Sequence, residues 1–264
     1  MSRSKRHRTM ESRPLSASAV AFTVTKSNIL NATGERYRNL ELSCRDFFTT
    51  PVNGAYRILT DEAMIGAAKA EAARFRARHG MTCDDLRVGV LADDPYVTAM
   101  REAVAFPDGR LGLYNRFIVP LGIVVLPVFK TQLVVMYRYR HGTRSWAYEF
   151  PRGIIEPGES DATAVRRELP EEIGAQAAEM ILSLGTIHSS SGITSETSAV
   201  FLARLSELGE PDQHEAVARI EPLSSEEFRR RVAAGAITDA PSLAAHAGQR
   251  CAVMKRVDAF ACYR

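Results

Sequence analysis

Residues 166–174 read RRELPEEIG and crowd Glu168, Glu171 and Glu172 into five consecutive positions. At i, i+3 and i+4 these carboxylates fall on one side of a helical turn, where like charges repel. A hard divalent cation between them removes that cost. Carboxylate oxygens are the ligands Mg²⁺ prefers, and the ion keeps several waters and takes phosphate oxygens as well. The residue types therefore point to metal-assisted chemistry at a phosphate group, with Mg²⁺ as the cofactor and Mn²⁺ able to substitute.

A helix from Ser160 to Ile173 must carry these acids. Ser160 caps it, and Ala162, Val165 and Leu169 form its buried stripe. Pro170 falls near the last turn, where the lost bond to the Arg166 carbonyl costs less than in mid-helix. Ahead of it, the β-branched runs GIVVLPVF and LVVMYRY, with KTQ between them, predict a hairpin. AYEFPRG predicts a strand closed by Pro151 and Gly153, and FPDGRLGLYNRFIV a Pro-Asp-Gly turn between apolar stretches. Downstream, SAVFLARL reads as a strand, SSEEFRRRVAAG as a capped helix and DAPSLAAHAGQ as the last helix. Strands on both sides of a central helix predict an α+β layered domain, not a doubly wound sheet.

Further upstream, TDEAMIGAAKAEAARFRARHG predicts a helix capped by Thr60. Asp61 and Glu62 suit its positive end, Arg76 and Arg78 its negative end, and Gly80 stops it. Short alternating stretches between AFTVTKSNIL and RNLELSC suggest strands around a Gly-containing turn. The organisation expected is a disordered basic leader over 1–20, an N-terminal extension over 21–83 and the main domain over 84–264.

The chain has 264 residues, and its net charge of +3 from 34 basic and 31 acidic residues argues neither for nor against a polyanionic partner. MSRSKRHRTMESR is basic and polar, a solvated leader, and nucleic acid is not expected as a partner. Cys44, Cys83, Cys251 and Cys262 lack CxxC spacing, which argues against a zinc site and a dense disulfide framework. No run of about 18 apolar residues exists to span a membrane. SASAVAFTV only faintly imitates a signal peptide, so a cytoplasmic location is expected.

Residues 153–175, GIIEPGESDATAVRRELPEEIGA, resemble the Nudix box, G-x5-E-x7-R-E-U-x-E-E-x-G-U with U a bulky aliphatic. Each charged and glycine position is present, and Ala175 is the one departure. An exposed glutamate cluster on a solvated helix would leave those glycine and arginine positions unexplained. The resemblance implies a Nudix fold, a mixed sheet sandwiched between helices, with an N-terminal extension containing a helix and short strands. It implies a metal set of Glu168, Glu171, Glu172 and Gly153, with Glu159 and Arg167 tying loop to helix.

Beyond the box, residues 122–159 look like the ADP-ribose pyrophosphatase branch. Arg140 occupies the arginine of its Q-Y-R element, and Arg138 replaces the glutamine. Residues 184–205 resemble its P-S-P-G-F-x-x-E loop and following strand; Gly192 and Glu196 match, and Ser191 stands where the branch has proline. GAITDAPSLAAHA resembles its closing helix, with Ser242 for threonine. The resemblance covers roughly residues 90 to 250. It implies attack of water on a nucleoside diphosphate linked to another moiety, ADP-ribose or a related nucleotide sugar, giving two monophosphates. Glu196 is the candidate base, or another metal ligand, and Glu171 and Glu172 join it in the catalytic set; His188 is a weaker base candidate. Arg140 and Arg138 would clamp substrate, and Glu149 would contact substrate or stabilise the loop. Trp146 and Tyr114 could stack on a base or pack in the core. The departures leave room for a GDP- or UDP-sugar, a dinucleotide, or a Nudix regulator that binds nucleotide without turnover. The branch also implies a homodimer.

Overall fold

In the computed structural model, residues 32–43, 48, 54–175 and 178–249 are described. The leader over 1–20 lies outside them. The chain order is α1 (Ala32–Ser43), β1 (Arg57–Ile58), α2 (Glu62–Arg78), β2 (Gly89–Asp93), β3 (Thr98–Ala105) and β4 (Leu111–Ile118). There follow β5 (Gly122–Phe129), β6 (Gln132–Arg140), β7 (Ser145–Glu149), β8 (Arg152–Ile154), α3 (Asp161–Ile173), β9 (Ala178–Ile187) and β10 (Ser198–Leu205). A 3₁₀ turn (Gln213–Glu215), β11 (Val217–Leu223), α4 (Ser225–Ala233) and a helix over 240–249, α5, complete it.

The strands form two sheets. In the seven-stranded one the order is β11-β6-β5-β10-β9, with β7 paired to β6 and β8 to β5. It is mixed, because β10 runs parallel to β5 while its other pairings are antiparallel. Strand side chains alternate between faces, and β5 is apolar on both. Ile123 and Val125 pack with Ala164, Val165, Leu169 and Ile173 of α3. Val124 and Leu126 pack on the opposite face with Phe228 of α4, Ile237 and Ala245. The sheet is therefore sandwiched between helices, the α+β architecture expected.

The second sheet has four strands, with β3 paired to β1, β2 and β4, and α2 lies on it through Ala68, Met64 and Ile65. The β3–β4 connection is the expected Pro-Asp-Gly turn, with Phe106 and Arg110 bonded across it and Gly109 at φ 83°.

Local readings need correction at a few places. Residues 32–43 are helical, not strands: Tyr37 and Leu40, three apart, pack around Phe48, Met100 and Ile118. The rest of that reading, residues 21–31 and Cys44, lies outside the described residues. Asp61, not Thr60, caps α2, because its extended backbone lets its carboxylate accept from Met64 N at 3.0 Å. On α3 the small buried residue is Ala164, whereas Ala162 is exposed. AYEFPRG is two strands; Pro151 separates them and its carbonyl accepts from Val125 N at 2.8 Å, while Gly153 lies inside β8.

Candidate active site

Both ends of α3 are fixed by local chemistry. The Ser160 hydroxyl accepts from Thr163 N at 3.2 Å. At the other end Gly174 takes a left-handed conformation, φ 63°, and its N–H and that of Ala175 reach back to the Pro170 and Leu169 carbonyls. Pro170 thus sits in a final turn held by its carbonyl. With Val165, Leu169 and Ile173 buried, helical spacing brings Glu168 and Glu172 to the edge of the core, 7% and 1% exposed, and leaves Glu171 partly in solvent.

Opposite the acids runs β8. A Cβ at Gly153 would overlap the Glu168 carboxylate, so only glycine lets that side chain lie against the strand. Arg167 is the hub of the loop. It donates to Glu159 at 3.1 and 3.2 Å, to the Ile154 carbonyl at 2.8 Å, to Glu168 at 2.6 Å and to Glu171 at 3.3 Å. Glu159 also accepts from Glu156 N, and its bonds to Arg167 hold its carboxyl below the usual range. Glu172 accepts from Arg152 N at 2.9 Å and from a guanidinium nitrogen of Arg138. The other Arg138 nitrogen lies 2.6 Å from Glu215.

Burial pushes the Glu168 carboxyl up and that of Glu172 up to about 8. Desolvation is the cause at both, against the lowering pull of Arg167 on Glu168 and of Arg138 on Glu172. Among the described residues no three His, Cys, Asp or Glu side chains converge to hold a metal ion; Arg167 engages the oxygens of Glu168 and Glu171, and Arg138 those of Glu172. The donor set nonetheless fits a hard divalent cation: buried carboxylates on one helix edge, facing a glycine that leaves room for them.

A cleft of about 380 Å³ adjoins this cluster through Gly153 and is lined by Arg140, Arg152, Glu196, Thr194 and Tyr96, among others. Arg140 Nε donates to Glu149 at 3.0 Å, and Arg152 lies 3.6 Å from both Glu149 and Asp239. Glu149 is 1% exposed, behind the arginines instead of in the cleft wall. Glu196 arrives on a loop stitched to the end of β4: Phe117 N donates to the Ile193 carbonyl, Ser195 N to that of Phe117, and Val119 N to the Ser195 hydroxyl.

The structure thus brings Gly153, Glu168, Glu171, Glu172 and Arg138 into one cluster and sets Arg140 and Glu196 in the adjoining cleft. His188 bonds Thr197 at 3.2 Å, Trp146 stacks on Tyr137 and the Tyr114 hydroxyl donates to the Gly192 carbonyl; none of them is in the cleft lining. Sequence reasoning missed Arg152, Glu215 and Tyr96. An arginine in the glutamine place at 138 was the available signal, since a buried guanidinium calls for acid partners. Ser242 bridges Phe150 N and Asp239 through its hydroxyl, so serine supplies there what threonine would.

The family profile described as NUDIX domain matches residues 119–245. The chain is 31% identical over 157 residues to an ADP-ribose pyrophosphatase of Mycobacterium tuberculosis, 54% of this chain and 72% of that protein. It is 38% identical over 52 residues to ADP compounds hydrolase NudE of Escherichia coli, 20% of this chain and 28% of that protein. With the CMP-5'-(N-acetyl-N-hydroxy-3-aminopropyl)phosphonate hydrolase of Streptomyces rubellomurinus it shares 28% identity over 86 residues, 32% of this chain and 42% of that protein. A crystal structure of an ADP compounds hydrolase superposes with a TM-score of 0.54 at 21% identity, covering 65% of this chain and 94% of that one, a likeness of fold.

Proposed function

Because the chain belongs to the Nudix family of pyrophosphohydrolases, whose members generally use divalent metal cations, we propose that it hydrolyses the pyrophosphate of a nucleoside diphosphate linked to a second moiety. ADP-ribose or a related nucleotide sugar is the substrate class, and the products are two monophosphates. The observation that carries this reading is the buried acidic edge of α3 beside a cleft walled by Arg140, Arg152 and Glu196.

Each residue has a part in the reaction. Arg140 and Arg152 receive the phosphate oxygens, their planar forks suited to bidentate contact. Glu149 orients Arg140 from behind. Glu196 takes the proton of the attacking water. Tyr96, 71% exposed at the cleft, offers a flat ring to the base. Glu168, Glu171 and Glu172, with Gly153, would hold Mg²⁺ or Mn²⁺, which supplies shielding of phosphate charge and acidifies bound water. Arg167 keeps the glutamates aligned with the loop.

We further propose a homodimer, by analogy with the branch, and a cytoplasmic location. Among the described residues no helix is long and apolar enough to cross a membrane. The deciding test is a panel of ADP-ribose, GDP- and UDP-sugars and dinucleotides with Mg²⁺, products resolved by mass. Turnover of one of them into two monophosphates is expected. Tight binding without turnover would replace the enzyme by a nucleotide-binding Nudix regulator, and light scattering at the monomer mass would remove the dimer.

A further inference from the structure

Arg138 makes two ion pairs at once with its one guanidinium. One nitrogen lies on Glu172 of α3, the other 2.6 Å from Glu215 in the 3₁₀ turn before β11. The three side chains are 14%, 1% and 16% exposed, so water screens these pairs little. A single cationic group therefore serves two largely buried acids.

The backbone around this trio is pinned. Gly209 N donates to the Ile173 carbonyl at 3.2 Å, Asp212 N to that of Glu171 at 2.8 Å, and Tyr139 N to that of Ala216 at 3.1 Å. A Cβ on Gly174 or Gly209 would run into the other's backbone. The turn bearing Glu215 is thereby locked both to the acidic helix and to β6. What can redistribute is the long side chain of Arg138, shared between an acid of the metal set and an acid outside it.

We infer that Arg138 is an internal counter-ion that occupies Glu172 until a divalent cation arrives, and that Glu215 is the acceptor retaining the guanidinium when Glu172 turns to the cation. The inference rests on the reading that the acidic edge of α3 holds such a cation. Neither residue touches the reacting atoms; both are positioning residues. Guanidinium and cation compete for the same carboxylate, so deleting the guanidinium strengthens cation binding. Deleting Glu215 leaves Glu172 as the partner of Arg138 in this trio and weakens cation binding. Opposite signs from two neighbouring variants are the signature, and a general loss of structure does not produce them.

The test is calorimetric titration of the full chain with Mn²⁺ alone, with no nucleotide, together with the thermal midpoint of the metal-free protein. Arg138→Gln is expected to lower the Mn²⁺ Kd about tenfold, the order of one charge-assisted bond that no longer competes with the cation, and to lower the metal-free midpoint, which Mn²⁺ then restores. Glu215→Gln is expected to raise Kd and to lose most of that effect in the Arg138→Gln background. An unchanged or higher Kd in Arg138→Gln overturns the inference, as does a Glu215→Gln effect of equal size with and without Arg138. Should Arg138→Gln not fold, Glu215→Gln decides alone: weaker binding supports the counter-ion role and unchanged binding overturns it. Wild-type protein that binds no Mn²⁺ overturns the underlying metal reading and this inference with it. Wild-type binding that the variants leave untouched overturns this inference only.

Discussion

Gly153 governs where the Glu168 carboxylate lies against β8, since a Cβ there would overlap it and push it aside. Gly153→Ala is expected to lower turnover by about 10- to 100-fold, the scale of a misdirected metal ligand, as steady-state kinetics and Mn²⁺ titration would both show. Glu196 acts differently in this account. Glu196→Gln is expected to lower kcat by about 10²–10⁴-fold, as for a lost general base, with KM nearly kept; a KM rise at unchanged kcat would make it a binding residue instead. Glu168, Glu171 and Glu172 could be singled out in sequence because Gly153, Glu159, Arg167 and Gly174 stand with them at Nudix-box spacing, which an exposed acidic helix would not explain. Glu215 was not legible, because its meaning comes from an arginine 77 residues away.

Among elements, α3 carries the site because one face of it belongs to the core. Leu169, 1% exposed, packs with Ile123, Val125 and Val134 of the sheet. Leu169→Ala is expected to destabilise the fold by about 2–5 kcal/mol, measured by urea denaturation, through lost burial and the cavity left behind. The hairpin of β5 and β6 and the caps of α3 and α4 could be read from runs of β-branched residues and from Ser160 and Ser224. Residues 32–43 could not, because their few apolar positions alternate over too short a span, and packing against Phe48 and Ile118 decides for helix. The buried alanine was likewise misplaced, Ala162 being named where Ala164 packs inward, since the sheet fixes which side of α3 faces it.

On the scale of the whole chain, the four-stranded sheet supports the site although the matched family region starts at residue 119. Its strand β4 stitches down the loop bearing Glu196, with Phe117 N donating to the Ile193 carbonyl and Ser195 N to that of Phe117. Bonds between segments so far apart in sequence leave no local pattern, which is why the support that β4 gives the Glu196 loop could not be read in advance. Cation binding links to stability across the same molecule. With Mg²⁺ at 100 times its Kd, folding is expected to gain about 2.7 kcal/mol, seen as a higher thermal midpoint that a chelator reverses; an unmoved midpoint would argue against a site in the folded state. The most direct measurement is hydrolysis of ADP-ribose with Mg²⁺ by wild type and by the Glu171→Gln/Glu172→Gln double variant, with products weighed by mass spectrometry. The account predicts AMP and ribose 5-phosphate from wild type and almost none from a double variant that remains folded. Undiminished hydrolysis by the folded double variant would contradict it.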